Sequence, residues 1–319
     1  MDALSDVLAA IRLSAVAFLH AEFTAPWCIV ARVEPEDCRP YGGVPAHIIA
    51  YHYVVDGELL LQMADQAPQR LQAGEIVLLP RNDPHILGSA AKLQPVVVDQ
   101  LIQPPTASNL AQLRYGGGGA ATHLICGFLG CAQPNHPLLA SLPAWLRLSV
   151  SDGVAGAWVG HSFHLAAQEF AANRAGSATV LNKLAELLFV EAVRRYLDSL
   201  PPGQSGWLAG LGDPLVGRAL VLLHGRLAEH WTTEALAREV GLSRSAFAER
   251  FTRLVGLPPM HYLAHWRLQL AAARLRDGCS LMAQIAYDIG YESEAAFNRA
   301  FKREFGMPPA TWRKQQPRP

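Results

Sequence analysis

Two similar stretches of this sequence carry side chains that can read nucleic-acid base edges. They are "LSRSAFAERFTRLVGLPP" from Leu242 and "ESEAAFNRAFKREFGMPP" from Glu292. At helical spacing the outward positions are Arg244, Ser245, Ala248 and Glu249 in the first, and Glu294, Ala295, Asn298 and Arg299 in the second. Arginine can bond guanine O6 and N7 bidentately, asparagine does the same for adenine, and glutamate accepts from cytosine N4. Each good pair discriminates by roughly 1–3 kcal/mol. Ser243, Ser293, Lys302 and Arg303 suit phosphate oxygens, which position a duplex without specifying its sequence. A second set, His52, His85, Cys126 and Cys131, offers two imidazoles and two thiolates, a donor set that fits tetrahedral Zn²⁺.

The elements that must hold the first set are legible from their spacing. At an offset of 49, Leu236, Ala237, Val240 and Gly241 match Ile285, Ala286, Ile289 and Gly290. At 50, Phe247, Phe251, Gly256 and Pro258 match Phe297, Phe301, Gly306 and Pro308. Each copy predicts a helix ended by a glycine in left-handed geometry, then a serine that caps a second helix. Two phenylalanines four apart turn one face of that second helix to the core and leave the positions between them outward. This is helix-turn-helix grammar, in which the second helix enters the major groove. One copy alone would serve equally well as a packing unit of a helical domain; the repeat and the charge balance favour DNA.

The second set needs strands. From Trp27 to Val150 short apolar runs such as "HIIAYHYVV", "GEIVLLP" and "HLICGFL" alternate with Gly, Pro, Asp and Asn, which predicts a β-sandwich or barrel. Cys126 and Cys131 are five apart, so a regular strand points them to opposite faces. A bulge at Gly127 or Gly130 would bring them together. His47, Cys28 and His136 are the alternates. Two other readings stay open: core histidines with inert buried thiols, and thiols that respond to oxidants.

Length and composition set the frame. The chain has 319 residues, half of them hydrophobic and 17% charged, which describes a globular protein with room for two domains. Net charge is zero, yet residues 1–212 hold 12 Lys/Arg against 17 Asp/Glu while residues 213–319 hold 15 against 10. The basic end suggests an anionic partner for that part alone. "MDALSDVLAAIRL" lacks the basic start of a signal peptide and places Leu4, Val7, Leu8 and Ile11 on one helical face. The uncharged run Tyr115–Leu146 is broken by Gly, Pro, Asn135 and two histidines, so no membrane segment is expected. Five cysteines without an export signal point to a reducing cytoplasm.

The text from "ALAREVGLSRSAFAERFTRLVGLPPMHYLAHWRLQLAAARL" to "IAYDIGYESEAAFNRAFKREFGMPPATWR" resembles the DNA-binding domain of AraC/XylS-type transcription regulators. "HYVVDGELLL", with His52, Gly57 and Glu58, and "QAGEIVLLPRNDPH", with Gly74, Pro80 and His85, resemble the two cupin motifs of a sensor domain found in a branch of that family. The resemblance implies an α+β multidomain fold. An N-terminal cupin-like β-barrel with flanking helices (1–200) senses an effector and dimerises. A linker (201–213) leads to an all-α domain (214–316) of two helix-turn-helix motifs joined by a linker helix. It also implies double-stranded DNA, an effector, a second copy of the chain and RNA polymerase as partners, with activation as the outcome. The helix over Leu181–Leu200 is the expected dimer or relay element.

Metal cupins place two His and a Glu in the first motif, and the positions here, near Val44, Ala46 and Ala50, cannot ligate. The reading is therefore a cytoplasmic regulator and not an enzyme. Its rival is a metal-dependent cupin enzyme fused to a DNA-binding tail, which would require an open coordination position.

Overall fold

The computed structural model describes residues 3–11, 13–39, 44–64, 66–97, 102–103, 111–131, 136–149, 158, 161–162, 165, 175–201, 206–276 and 281–315. The chain forms two compact units. One holds Leu13–Ala132 and Leu142–Asp198; the other holds Met1–Arg12, Gln133–Ser141 and Ser199–Pro319. Within the second unit, the first helix and the segment after the ninth strand pack with the C-terminal helices. Of the expected linker, residues 202–205 lie outside the described residues, and Trp207–Gly212 is a helix with Trp207, Leu208 and Leu211 buried. Burial of these apolar side chains favours packing over an open, solvated segment.

Among the described residues of the first unit ten strands run in chain order: β1 (Leu13–Thr24), β2 (Cys28–Ala31), β3 (His47–Asp56), β4 (Glu58–Met63), β5 (Gln69–Gln72), β6 (Glu75–Leu79), β7 (His85–Gly88), β8 (Ala111–Gly116), β9 (Ala121–Cys131) and β10 (Leu146–Ser149). They make a six-stranded sheet, β10-β6-β3-β9-β1-β8, and a four-stranded sheet, β2-β7-β4-β5. Alternation decides which face is inward. On β4, Leu59, Leu61 and Met63 are buried in the core cluster shared with Ile29 and Leu87 of their own sheet and Val54, Val77, Leu124 and Phe128 of the other. The β3–β4 turn needs Gly57, which has φ 79°; a Cβ there would lie 2.4 Å from the Ala121 carbonyl.

Asn82 holds the loop before β7. It sits in left-handed geometry, φ 51°, and its buried side chain accepts from the Val33 N–H at 3.1 Å and donates to the Val33 carbonyl at 2.8 Å. A strand-like pair of hydrogen bonds therefore fixes the approach to His85.

The helices, again in chain order, are α1 (Ala3–Ile11), α2 (Pro35–Cys38), α3 (Pro137–Ser141), α4 (Ser177–Ser199), α5 (Trp207–Gly212), α6 (Pro214–Gly225), α7 (Thr233–Glu239), α8 (Arg244–Val255), α9 (Pro259–Arg276), α10 (Met282–Asp288), α11 (Glu294–Phe305) and α12 (Pro309–Gln315). α4 belongs to the barrel unit and buries Leu184, Leu188, Phe189, Ala192 and Val193. In the second unit α1, whose Val7 and Ile11 are buried, packs on α6, and α3 packs on α5. Just before α3, His136 stands edge-on to Trp266 at 4.8 Å, while His224 stacks on Trp266 at 4.7 Å. Among the described residues no helix is long and apolar enough to cross a membrane.

Candidate functional site

The two C-terminal motifs share one hydrogen-bonded frame. In α7–α8, Gly241 donates to the Arg238 carbonyl and Leu242 to that of Ala237; in α10–α11, Gly290 donates to Tyr287 and Tyr291 to Ala286. Both glycines are left-handed, φ 75° and 82°. The Ser243 hydroxyl accepts from Ala246 N–H and that of Ser293 from Ala296 N–H, which caps each second helix. Behind the caps the phenylalanine rings repeat as well: Phe247 and Phe251 lie 5.6 Å apart, Phe297 and Phe301 5.5 Å, all four fully buried. Burying each ring contributes on the order of 1.5–3 kcal/mol, so the face left outward is not free to rotate in.

That outward face carries the expected residues. Arg244, Ser245 and Glu249 on α8 and Glu294, Ala295 and Arg299 on α11 are exposed, while Ala248 and Asn298 are half-buried. Lys302 and Arg303 are exposed one turn further along α11. Among the described residues no carboxylate pairs with Arg244, Arg299, Lys302 or Arg303, so their charge faces outward uncompensated. Spacing alone did not single out Arg253, which is exposed at the position matching Arg303; the same 50-residue offset would have found it. Nor did spacing show that Arg250 is withdrawn from this face by Asp213.

In the barrel unit three of the four proposed ligands meet. His52 and Cys126 are register partners on β3 and β9, and His52 Nδ1 lies 2.9 Å from Cys126 Sγ. His52 Nε2 lies 2.8 Å from His85 Nε2, a hydrogen bond that joins the two sheets. His85 Nδ1 is 2.9 Å from the Asp83 carbonyl. A carbonyl only accepts, so His85 carries its proton on Nδ1 and its Nε2 accepts from His52 Nε2–H. His52 Nδ1 is then left to accept from the Cys126 thiol. Burial keeps both rings neutral, lowering His52 well below its ordinary pKa with a further push from His85, and lowering His85 as well. Burial also pushes the Cys126 thiol up to about 12.

This line of groups does not fit the tetrahedral zinc cage. Each ring nitrogen of His52 faces a different partner, so Cys126 and His85 lie on opposite sides of one imidazole and cannot share a metal ion with it. Cys131 does not join them. β9 pairs with β3 without a break from Cys131↔His47 to Leu124↔Val54, and the irregularity falls instead on β1, between Ala17 and Leu19. Cys126 therefore points into the core cluster and Cys131, an odd number of residues away, to the other face. Gly127 serves the Tyr51 ring, which a Cβ would meet at 2.3 Å, and Gly130 serves Pro45. Among the described residues no three His, Cys, Asp or Glu side chains are placed to hold a metal ion. Of the alternates, His47 bonds the Pro80 carbonyl at 2.6 Å and His136 belongs to the other unit.

Comparison with known proteins bears on both parts. A family model described as Cupin matches residues 2–198, and one described as Helix-turn-helix domain matches residues 236–315. The chain is similar to an AraC-like transcription regulator of Streptomyces antibioticus, 33% identical over 268 residues that make up 84% of this chain and 87% of that one. It is 27% identical to the HTH-type transcriptional regulator AlkR of Acinetobacter baylyi, over 99% of this chain and 100% of that one. A further relative from Streptomyces lividans is 43% identical over 48% of this chain and 50% of its own length. Among solved structures, the DNA-binding domain of AdpA in complex with a target DNA is 31% identical, covering 32% of this chain and 91% of that one at a TM-score of 0.30.

Proposed function

Because the chain belongs to the family of AraC-like transcription regulators, it regulates transcription by binding DNA, and we propose that its barrel receives the chemical signal that governs that binding. The observation that carries the DNA half is the replicated frame: two serine-capped helices, α8 and α11, held by identical glycine turns and paired phenylalanines. Two helices so held can enter successive major-groove segments, about 34 Å apart along one face of a duplex. One chain then reads a long asymmetric site. Arg244, Glu249, Asn298 and Arg299 contact base edges, and Arg253, Lys302 and Arg303 contact phosphates.

The signal half rests on the Cys126–His52–His85 line, a polar chain inside an otherwise apolar core that ties one sheet to the other. A buried polar line is sensitive to the loss of any one of its hydrogen bonds, which supports a sensing role. A signal governs DNA binding only if it favours one arrangement of the protein over another. A homodimer belongs to the same reading; the exposed Val180 and Leu187 on α4 support a partner face there.

The test is to let the purified full-length protein select fragments from genomic DNA and to measure binding against salt. A steep log–log slope, about −0.9 per phosphate neutralised, and recovery of one recurring asymmetric site are expected. Protein that retains no duplex at low ionic strength refutes the DNA interface.

A further inference from the structure

The mismatch between the buried polar line and a zinc cage leaves a thiol aimed at a base. Three groups stand in order with their hydrogen bonds all pointing one way: Cys126 S–H to His52 Nδ1, His52 Nε2–H to His85 Nε2, His85 Nδ1–H to the Asp83 carbonyl. The backbone carbonyl sets the polarity, and Asn82 clamps the loop that presents it. A proton leaving the thiol has somewhere to go at each step. Cys38, also buried in the core, has no such base among the described residues, where its thiol bonds the Glu34 carbonyl at 3.7 Å.

We propose that Cys126 is an oxidation site for small uncharged two-electron oxidants of the peroxide class, with His52 as its general base and His85 as the acceptor behind it. Size and charge follow from burial. Cys126 is 5% exposed, His52 6% and His85 2%, so an oxidant must be small enough to enter a packed barrel and must not carry a charge into it. As sulfur attacks the peroxide, an S–O bond forms and the O–O bond breaks. The thiol proton moves to His52 Nδ1 and the His52 Nε2 proton to His85 Nε2. The departing hydroxide takes a proton back from the relay and leaves as water. Sulfur loses two electrons, the peroxide gains them, and a sulfenic acid remains.

The consequence is mechanical. Sulfur and ring nitrogen already stand 2.9 Å apart, so an added oxygen has no room between them and must displace His52 or turn the sulfur away. Either movement disturbs the hydrogen bond by which His52 ties β3 to His85 of the opposite sheet. This inference rests on the reading of the barrel as the signal receiver and names the class of signal.

The test is a competition inside one protein. The reduced chain is treated with hydrogen peroxide, sulfenic acid is trapped with dimedone, and labelled peptides are compared for Cys28, Cys38, Cys126, Cys131 and Cys279. Without the relay Cys126, pushed up to about 12 by burial, ranks below Cys38, pushed up to about 11 by burial and by Asp37 and Glu36. The relay reverses that order, so Cys126 labels ahead of Cys38. In His52→Asn the advantage falls by roughly a hundredfold, the low end of what a positioned base contributes. Labelling of Cys126 no faster than Cys38 in the wild-type chain overturns the proposal whether or not the variant folds. Unchanged labelling in a folded His52→Asn also overturns it. Fragment selection by the reduced wild-type protein is unaffected by either result, which separates failure here from failure of the DNA interface.

Discussion

Arg250 forks onto Asp213, with Nη2 at 2.6 Å and Nε at 3.1 Å from Oδ2, and the same carboxylate caps α6 by accepting from Leu215 and Val216 N–H. One aspartate thus ends the segment entering the helical unit, starts α6 and pins a side chain of the first recognition helix. Arg250 is thereby a structural arginine amid neighbours that face outward.

Replacing Asp213 by alanine removes the cap, at a cost of about 1 kcal/mol, and frees Arg250. Burial alone would raise the Asp213 carboxyl, but hydrogen bonds from Arg250, Val216 and Leu215 outweigh it and hold the group below its usual value. A depressed carboxyl stabilises the fold above its unfolded pKa and loses that contribution as pH falls through the folded value. The gap in urea midpoint between wild type and Asp213→Ala is therefore expected at pH 7 and to close at pH values below about 4.

Arg299→Ala is expected to weaken binding to the selected site by roughly 1–3 kcal/mol and to relax preference at one base pair. Arg253→Ala and Arg303→Ala should instead weaken every duplex alike and lower the salt slope by about 1 each. Titrations on matched and scrambled duplexes distinguish the two; a uniform loss for Arg299→Ala would make it a phosphate contact.

Gly241 and Gly290 occupy the same place in their turns, yet they differ in surroundings. A Cβ at Gly241 meets nothing within 4 Å, whereas one at Gly290 lies 2.6 Å from Arg267 Nη2 and 2.8 Å from the Ala228 carbonyl. Arg267 cannot easily yield, because it donates to the Leu227 and Glu229 carbonyls at 2.7 Å. Gly241→Ala should cost about 1–2 kcal/mol for its left-handed backbone alone. Gly290→Ala should cost clearly more in the same denaturation measurement, and equal costs would refute the role given to Arg267.

His136 and His224 are held neutral in the helical unit, burial lowering them to about 3 and about 4. A base whose folded pKa lies below its unfolded value near 6.5 binds more protons when unfolded, so stability is full above about 6.5 and falls as pH drops beneath it. The unfolding free energy should decline from pH 7 to pH 5, by up to about 1.4 kcal/mol per pH unit for each group, and thermal midpoints should fall with it. His224→Phe, if folded, should flatten that slope; an unchanged slope would place the titration elsewhere.

The double motif was legible in the chain because its determinants are local. Phenylalanines four apart, a glycine and a capping serine act within about fifteen residues, and the turn hydrogen bonds they imply appear in both copies. The strands were legible for the same reason. The fate of Cys131 was not. Which face a strand residue takes depends on where the register slips, and the slip fell on β1, opposite Gly127, not on β9. The order of the Cys126–His52–His85 line, the capture of Arg250 by Asp213 and the unequal glycines have the same origin. Each joins atoms from segments far apart in sequence, and only packing decides which of several chemically suitable partners comes within reach.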